Sequence, residues 1–193
     1  MDFENIVDNV RRAVTFDRTF YQEASVQERY QKQALTVVVI VALLSGIGSF
    51  LGGILSLNIL GAIVGLALGV LMSIVGYYIW AYVVQFVGKQ FFQGQATPPQ
   101  LLRTLGYAYA PQALGILGFI PCIGWMIALV GALWSLGCGY FAVKETEQFT
   151  DGKAILTVLI GWVIAMVVVA VVAGIVGAVF GITSGVFGAA FGR

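Results

Sequence analysis

"QATPPQLLRTLGYAYAPQALGILGFIP", residues 95–121, starts like a helix at a membrane surface and carries a proline, Pro111, where that helix is halfway across. Thr97 precedes two prolines and Gln100 follows three positions later. This is a capping box with prolines in the first turn, where their missing amide hydrogens cost nothing. From Arg103 to Lys144 no acid or base interrupts the chain. The stretch reads as a membrane span that starts at a surface, kinks at Gly106, Tyr107, Pro111 and Gln112, and stops at Pro121. Pro98 to Ile120 makes about 34 Å of helix, enough to cross.

The flanking sequence extends the pattern. Of 193 residues, 60% are hydrophobic and 10% charged, with a mean hydropathy of +0.95, which excludes an ordinary water-soluble domain. Further charge-free gaps run from Lys32 to Lys89 and from Lys153 to Arg193. At about 20 apolar residues per span, the three gaps hold two, two and one helices. The predicted fold is an all-α membrane protein with five transmembrane helices near 34–56, 61–87, 98–120, 123–143 and 154–180. The last gap amounts to about 58 Å of helix, so one span is followed by a glycine-rich tail over 181–193.

Residues 1–33 carry eleven charges and no apolar run of signal-peptide length, so the chain is expected to begin at Met1. Within this amino-terminal segment Phe3, Ile6, Val7 and Val10 follow the spacing of one helical face. They predict an amphipathic helix, lying in the membrane interface or packed beneath the protein's own spans. Five basic against six acidic residues make a polybasic lipid anchor unsuitable. Placing the amino-terminal segment and the 88–103 and 144–153 loops on one side gathers nine of the ten Lys/Arg there. The positive-inside rule then puts the amino terminus in the cytoplasm and the carboxyl terminus outside.

Glycines form the most regular pattern. Gly48 and Gly52 mark a face of the first span, Gly61, Gly65 and Gly69 one of the second. Gly174, Gly177, Gly181, Gly185, Gly188 and Gly192 step by 3, 4, 4, 3 and 4 along the last. In lipid, small residues let helices approach closely. These faces are expected to pack helices, inside the chain or against another subunit.

Chemistry is sparse. Histidine is absent, and no Walker loop, zinc spacing, serine elbow or paired carboxylate occurs; Glu145, Glu147 and Asp151 fall in what reads as a short solvated loop. Cys122 and Cys138 stand about 24 Å apart along one predicted helix, too far for a disulfide. Tyr77, Tyr78, Trp80 and Tyr82 read as an interfacial belt, and Arg103 as a side chain reaching back to the surface. No catalytic site, cofactor, metal or nucleic-acid partner is expected.

Three segments, "GKQFFQGQATPPQLLRTLGYAYAPQALG", "IPCIGWMIALVGALWSLGCGYFAVKET" and "TDGKAILTVLIGW", resemble the Yip domain family, the Ypt/Rab-interacting membrane proteins and their prokaryotic relatives. Gly106, Tyr107 and Pro111 look like that family's Gly-Tyr and following proline in the third span. The resemblance implies a five-helix membrane domain with a cytoplasmic amino terminus. The long cytoplasmic region of eukaryotic members, with its acidic Asp-Leu-Tyr-Gly-Pro stretch, is missing here. A Rab-type GTPase partner is therefore not expected, and the implied location is a prokaryotic plasma membrane. The leading functional expectation is a non-enzymatic membrane scaffold that associates with itself or with other membrane-protein subunits. The alternative is a small-solute or lipid transporter built on the Pro111 kink.

Overall fold

A computed structural model of the chain describes the backbone of residues 3–191 other than Ser56 and Asn58, and the side chains of residues 5–178 other than those two and residue 60. The described residues form helices and connecting turns, with no strand. Two short helices, α1 (Phe3–Val14) and α2 (Arg18–Val26), precede α3 (Tyr30–Leu55) and α4 (Ile59–Phe92). Then come α5 (Pro98–Ala108), a 3-10 segment (Ala110–Phe119), α6 (Gly124–Glu147) and α7 (Asp151–Phe191). Four stretches are long and apolar enough to cross a bilayer: Tyr30–Leu55, Gly61–Phe92, Gly124–Glu147 and Asp151–Ala178.

The third expected span is not one continuous α-helix. It is α5 followed by ten residues of 3-10 helix. Their rises of about 1.5 and 2.0 Å per residue sum to about 36 Å, so the pair has the length of a crossing. The capping box is in place, with the Thr97 N–H donating to Gln100 Oε1 at 2.8 Å. Downstream, α7 continues as one helix through Phe191, so residues 181–191 extend the fifth span.

α5 sits at the centre, touching α1, α2, α3, α4 and α6. Every residue from Leu101 to Pro111 is buried. Its polar side chains are therefore enclosed as well, Arg103 at 6% and Thr104 at 0% exposure. Around it α3 packs against α4, and α7 closes against α4 and α6.

The amino-terminal helices pack on one end of this bundle. Phe20 meets Tyr107 edge-on at 4.9 Å between ring centroids and Tyr30 at 5.8 Å. Gln33 Oε1 accepts from both Asn9 Nδ2 at 3.0 Å and the Tyr107 hydroxyl at 2.8 Å, tying α1, α3 and α5 together. The last carbonyls of α1 have no partner within the helix, and other elements supply them. The Tyr21 hydroxyl donates to Ala13 O at 3.1 Å and Trp134 Nε1 to Val14 O at 3.0 Å.

Three polar residues depart from the sequence reading. Arg103 does not reach back to the surface: it is 6% exposed, and its Nη2 donates to Ser25 O at 2.7 Å. That carbonyl lies in the last turn of α2, where the helix dipole favours a cation. Glu145 and Glu147 are not in a solvated loop but in the last turn of α6, each 8% exposed. Glu145 Oε2 accepts from Gln22 Nε2 at 2.6 Å and so holds α2 to α6.

Asp17 caps α2 by accepting from the amides of Thr19 and Phe20, and pairs with Arg12 Nε at 2.8 Å. The Thr19 hydroxyl, followed by Arg12, draws its pKa from 3.8 down to about 2. A lowered folded-state pKa adds stability above the unfolded value, lost as pH falls through the folded one. Asp17→Asn is therefore expected to lower the thermal midpoint at pH 7, with the gap from the native protein closing between about pH 4 and 2. Detergent melts of both proteins across that range check this.

Candidate functional site

Pro111 sets the geometry of the interior. It has no N–H, and beyond it the hydrogen bonding tightens: the Gln112 N–H donates to Tyr109 O at 3.0 Å, three residues back. The carbonyl of Ala108, which a continued α-helix would have paired with Gln112, is taken by the Ser135 hydroxyl of α6 at 2.7 Å. Gln112 stands one bond behind, its Nε2 donating to Ser135 Oγ at 3.3 Å. On the other side, the Ser45 hydroxyl of α3 donates to Gln112 O at 3.4 Å.

Glycines let the flanking helices reach this backbone. A Cβ on Gly48 would stand 2.7 Å from Ile116 O, and one on Gly131 2.8 Å from Pro111 O. Gly106 is similarly closed by Ala34, with 2.9 Å to its methyl. These contacts hold α5 and the 3-10 segment between α3 and α6.

Beside the break lies a cavity of about 510 Å³, bounded by α3, α4, α6, α7 and the start of the 3-10 segment. Its polar groups come from Ser45, Ser73, Tyr109, Gln112, Ser135 and the indoles Trp80 and Trp162. The remainder is small or apolar, and Asp, Glu, Lys and Arg are absent from the lining. The Tyr109 hydroxyl donates to Ser73 O at 3.3 Å. Trp80 is 5% exposed, and its indole N–H has no hydrogen-bond partner. The aromatic group of α4 is thus divided. Tyr77, which donates to Leu102 O at 2.5 Å, and Trp80 are interior, while Tyr78 and Tyr82 face outward.

Of the glycines singled out in the sequence, Gly65, Gly69, Gly174 and Gly177 have no neighbouring atom within 4 Å of a Cβ position. Gly69 fronts the cavity. Gly61 has a contact of its own, and Gly181 and Gly185 lie on α7 beyond the described side chains. Gly48 is the exception among them, and glycines outside those faces make equally close contacts, including Gly139 against the Trp80 ring at 2.8 Å and Gly161 against Val84 at 2.7 Å. On α1, Ile6 is 4% exposed and Val10 packs against the protein core, whereas Val7 is 66% exposed; Phe3 lies outside the described side chains.

A second cavity, about 520 Å³, lies where α4 turns into α5. Glu147 Oε2 accepts from the Ala96 N–H at 2.8 Å, and a Cβ on Gly94 would fall 2.5 Å from that oxygen. This carboxylate anchors the 93–97 turn.

Ser135→Ala removes the Ala108 carbonyl's partner inside the bundle, at an expected cost of about 1 to 3 kcal/mol. Gly131→Val, which drives a side chain into the Pro111 carbonyl, should cost at least as much. Unfolding titrations in mixed micelles measure both.

No curated protein and no solved structure matches the chain. The family model of the Yip1 domain matches residues 13–173, which takes in every element from the end of α1 to the middle of α7, and the chain belongs to the Yip1 domain family.

Proposed function

We propose that the protein is a non-enzymatic membrane scaffold, which binds a helix of a second copy or of another membrane protein along α7. The observation that carries this reading is the state of Gly174 and Gly177. Both are exposed, with no neighbouring atom within 4 Å of a Cβ. Glycine in a helix costs about 1 kcal/mol relative to alanine, and in lipid that cost is offset where a neighbour uses the close approach. At Gly48, Gly106, Gly131, Gly139 and Gly161 a neighbour within the chain does so. At Gly174 and Gly177 the neighbour is a second molecule.

In this reading the α1–α2 end of the bundle faces the cytoplasm of a prokaryote and the carboxyl terminus lies outside the plasma membrane. The basic residues support it: Arg11, Arg12, Arg18, Arg29, Lys32, Lys89, Lys144 and Lys153 all belong to that end. The exposed Val7 of α1 then meets the membrane interface while Ile6 holds the helix to the protein. The transporter reading has the cavity beside Gln112 in its favour, but a lining without acid or base offers no coupling group for protons or ions. It narrows to the accommodation of a neutral lipid.

Gly177→Leu separates a binding face from a structural one. Because the position is open, the variant is expected to keep the native melting temperature and lose its partner, read as oligomer mass and co-purifying protein in native-lipid discs. A complex of unchanged mass would overturn the scaffold reading.

A further inference from the structure

We propose that the corner between α1 and α2 is a binding site for a membrane phospholipid, with the Arg18 guanidinium holding its phosphate and Phe16 lying against its acyl chains. The proposal is independent of the scaffold reading and rests on the height at which this corner meets α6.

The corner lies beside α6 and not over its end. Trp134 Nε1 donates to Val14 O, Cys138 Sγ to Ala13 O at 3.7 Å, and a Cβ on Gly137 would stand 3.2 Å from the Phe16 ring. The Phe16 ring also meets that of Phe141, at 5.3 Å between centroids. Phe141 stands about 9 Å short of Glu147, the last residue of α6. From Gly124 to Phe141 the helix rises about 26 Å, close to the hydrocarbon thickness of about 30 Å. The corner is therefore level with the hydrocarbon boundary.

The side chains along that boundary change from apolar to cationic as a lipid does. Below the corner, Met126, Val130 and Trp134 are exposed on the face of α6 that Gly137 and Phe141 continue. Phe16 extends this apolar face and is itself exposed. Its backbone stands at φ 64°, in the left-handed region that a bulky residue enters only at a cost; its contacts with Gly137 and Phe141 hold it there. Two residues on, Arg18 is exposed, with its guanidinium 5.6 Å from the centre of the Phe141 ring. Among the described residues it makes no salt bridge, and the acids near it are taken, Asp17 by Arg12 and Asp151 by Lys144. A guanidinium always carries its charge and presents its N–H groups in a fork that suits phosphate. Acyl chains lying on Val130 and Trp134 thus end in a phosphate at Arg18. One cation placed this way differs from a polybasic patch, since it holds one lipid and needs no net positive charge around it.

The test uses the full chain in detergent micelles, with dioleoylphosphatidylglycerol, dioleoylphosphatidylcholine or dioleoylglycerol added in turn, and native mass spectrometry to count the lipids retained. Both phospholipids are expected to give a one-lipid complex, and dioleoylglycerol, which lacks the phosphate, about a tenth of that occupancy. Arg18→Gln should lower phospholipid occupancy by about tenfold, the worth of one contact to a charged group, with a melting temperature near the native one. Phe16→Gly takes away the ring at a backbone conformation that glycine adopts freely, and should lower occupancy as well. Arg11→Gln removes an exposed charge of α1 and should leave it unchanged. Occupancy by dioleoylglycerol equal to that by the phospholipids would overturn the proposal. So would full occupancy in Arg18→Gln or in Phe16→Gly, or an equal loss in Arg11→Gln, which would mark diffuse charge attraction.

Discussion

A backbone carbonyl inside hydrocarbon must find a donor, and the rest of this structure follows from how that demand is met after Ala108. Pro111 cannot donate, and the chain beyond it winds as a 3-10 helix whose bonds run three residues back. The carbonyl released at Ala108 needs a hydroxyl, and Ser135 supplies it from α6. Such a hydroxyl reaches only if the helices approach closely, which Gly48 and Gly131 permit on opposite sides. The break is thus stable because three helices are built around it. A 3-10 run of this length is uncommon, and here it is held by neighbours that leave it no alternative.

The same central element binds the amino-terminal helices to the bundle. Tyr107, four residues before the proline, meets Phe20 edge-on and hydrogen-bonds Gln33, and Arg103, one turn earlier, holds the end of α2. With the Gln22–Glu145 bond, α1 and α2 are joined to α3, α5 and α6 by buried polar contacts. Removing one partner from such a pair costs more than the pair contributes. These helices therefore behave as part of the folded domain and not as a detachable anchor.

The sequence reading located the spans because it rests on long charge-free runs, and a bilayer enforces those directly. Thr97 and Gln100 were equally legible, since a capping box is local. What escaped it was tertiary. Glu145 and Glu147 look like loop residues because they are charged and follow Lys144, yet α6 continues through them, and Gln22 and Ala96, far away in sequence, supply their partners. Arg103 looked as though it reached the surface for the same reason: nothing local shows that α2 lies over it. Helix ends were blurred for another cause. Among the described residues, those in left-handed conformation at the corners are Phe16, Leu57, Gln93, Cys122 and Gln148 and none is glycine, so the usual glycine stop signal does not mark these ends.

A regular spacing of glycines says that one face of a helix is small, but not what stands opposite. In this fold the glycines that admit a neighbour are scattered, since each answers one particular obstruction: a carbonyl at Gly48 and Gly131, an indole at Gly139, a valine at Gly161. Gly174 and Gly177 of α7 and Gly65 and Gly69 of α4 have no atom within 4 Å of a Cβ position, whereas the Gly48–Gly52 face of α3 meets the 3-10 segment at Ile116 and Phe119. Irregular glycines solve problems internal to the bundle, each fixed by a single contact. The α4 stripe runs into the cavity at Gly69, and Gly174 and Gly177 of α7 lie on the outer surface, so equal spacing marks two faces with different surroundings.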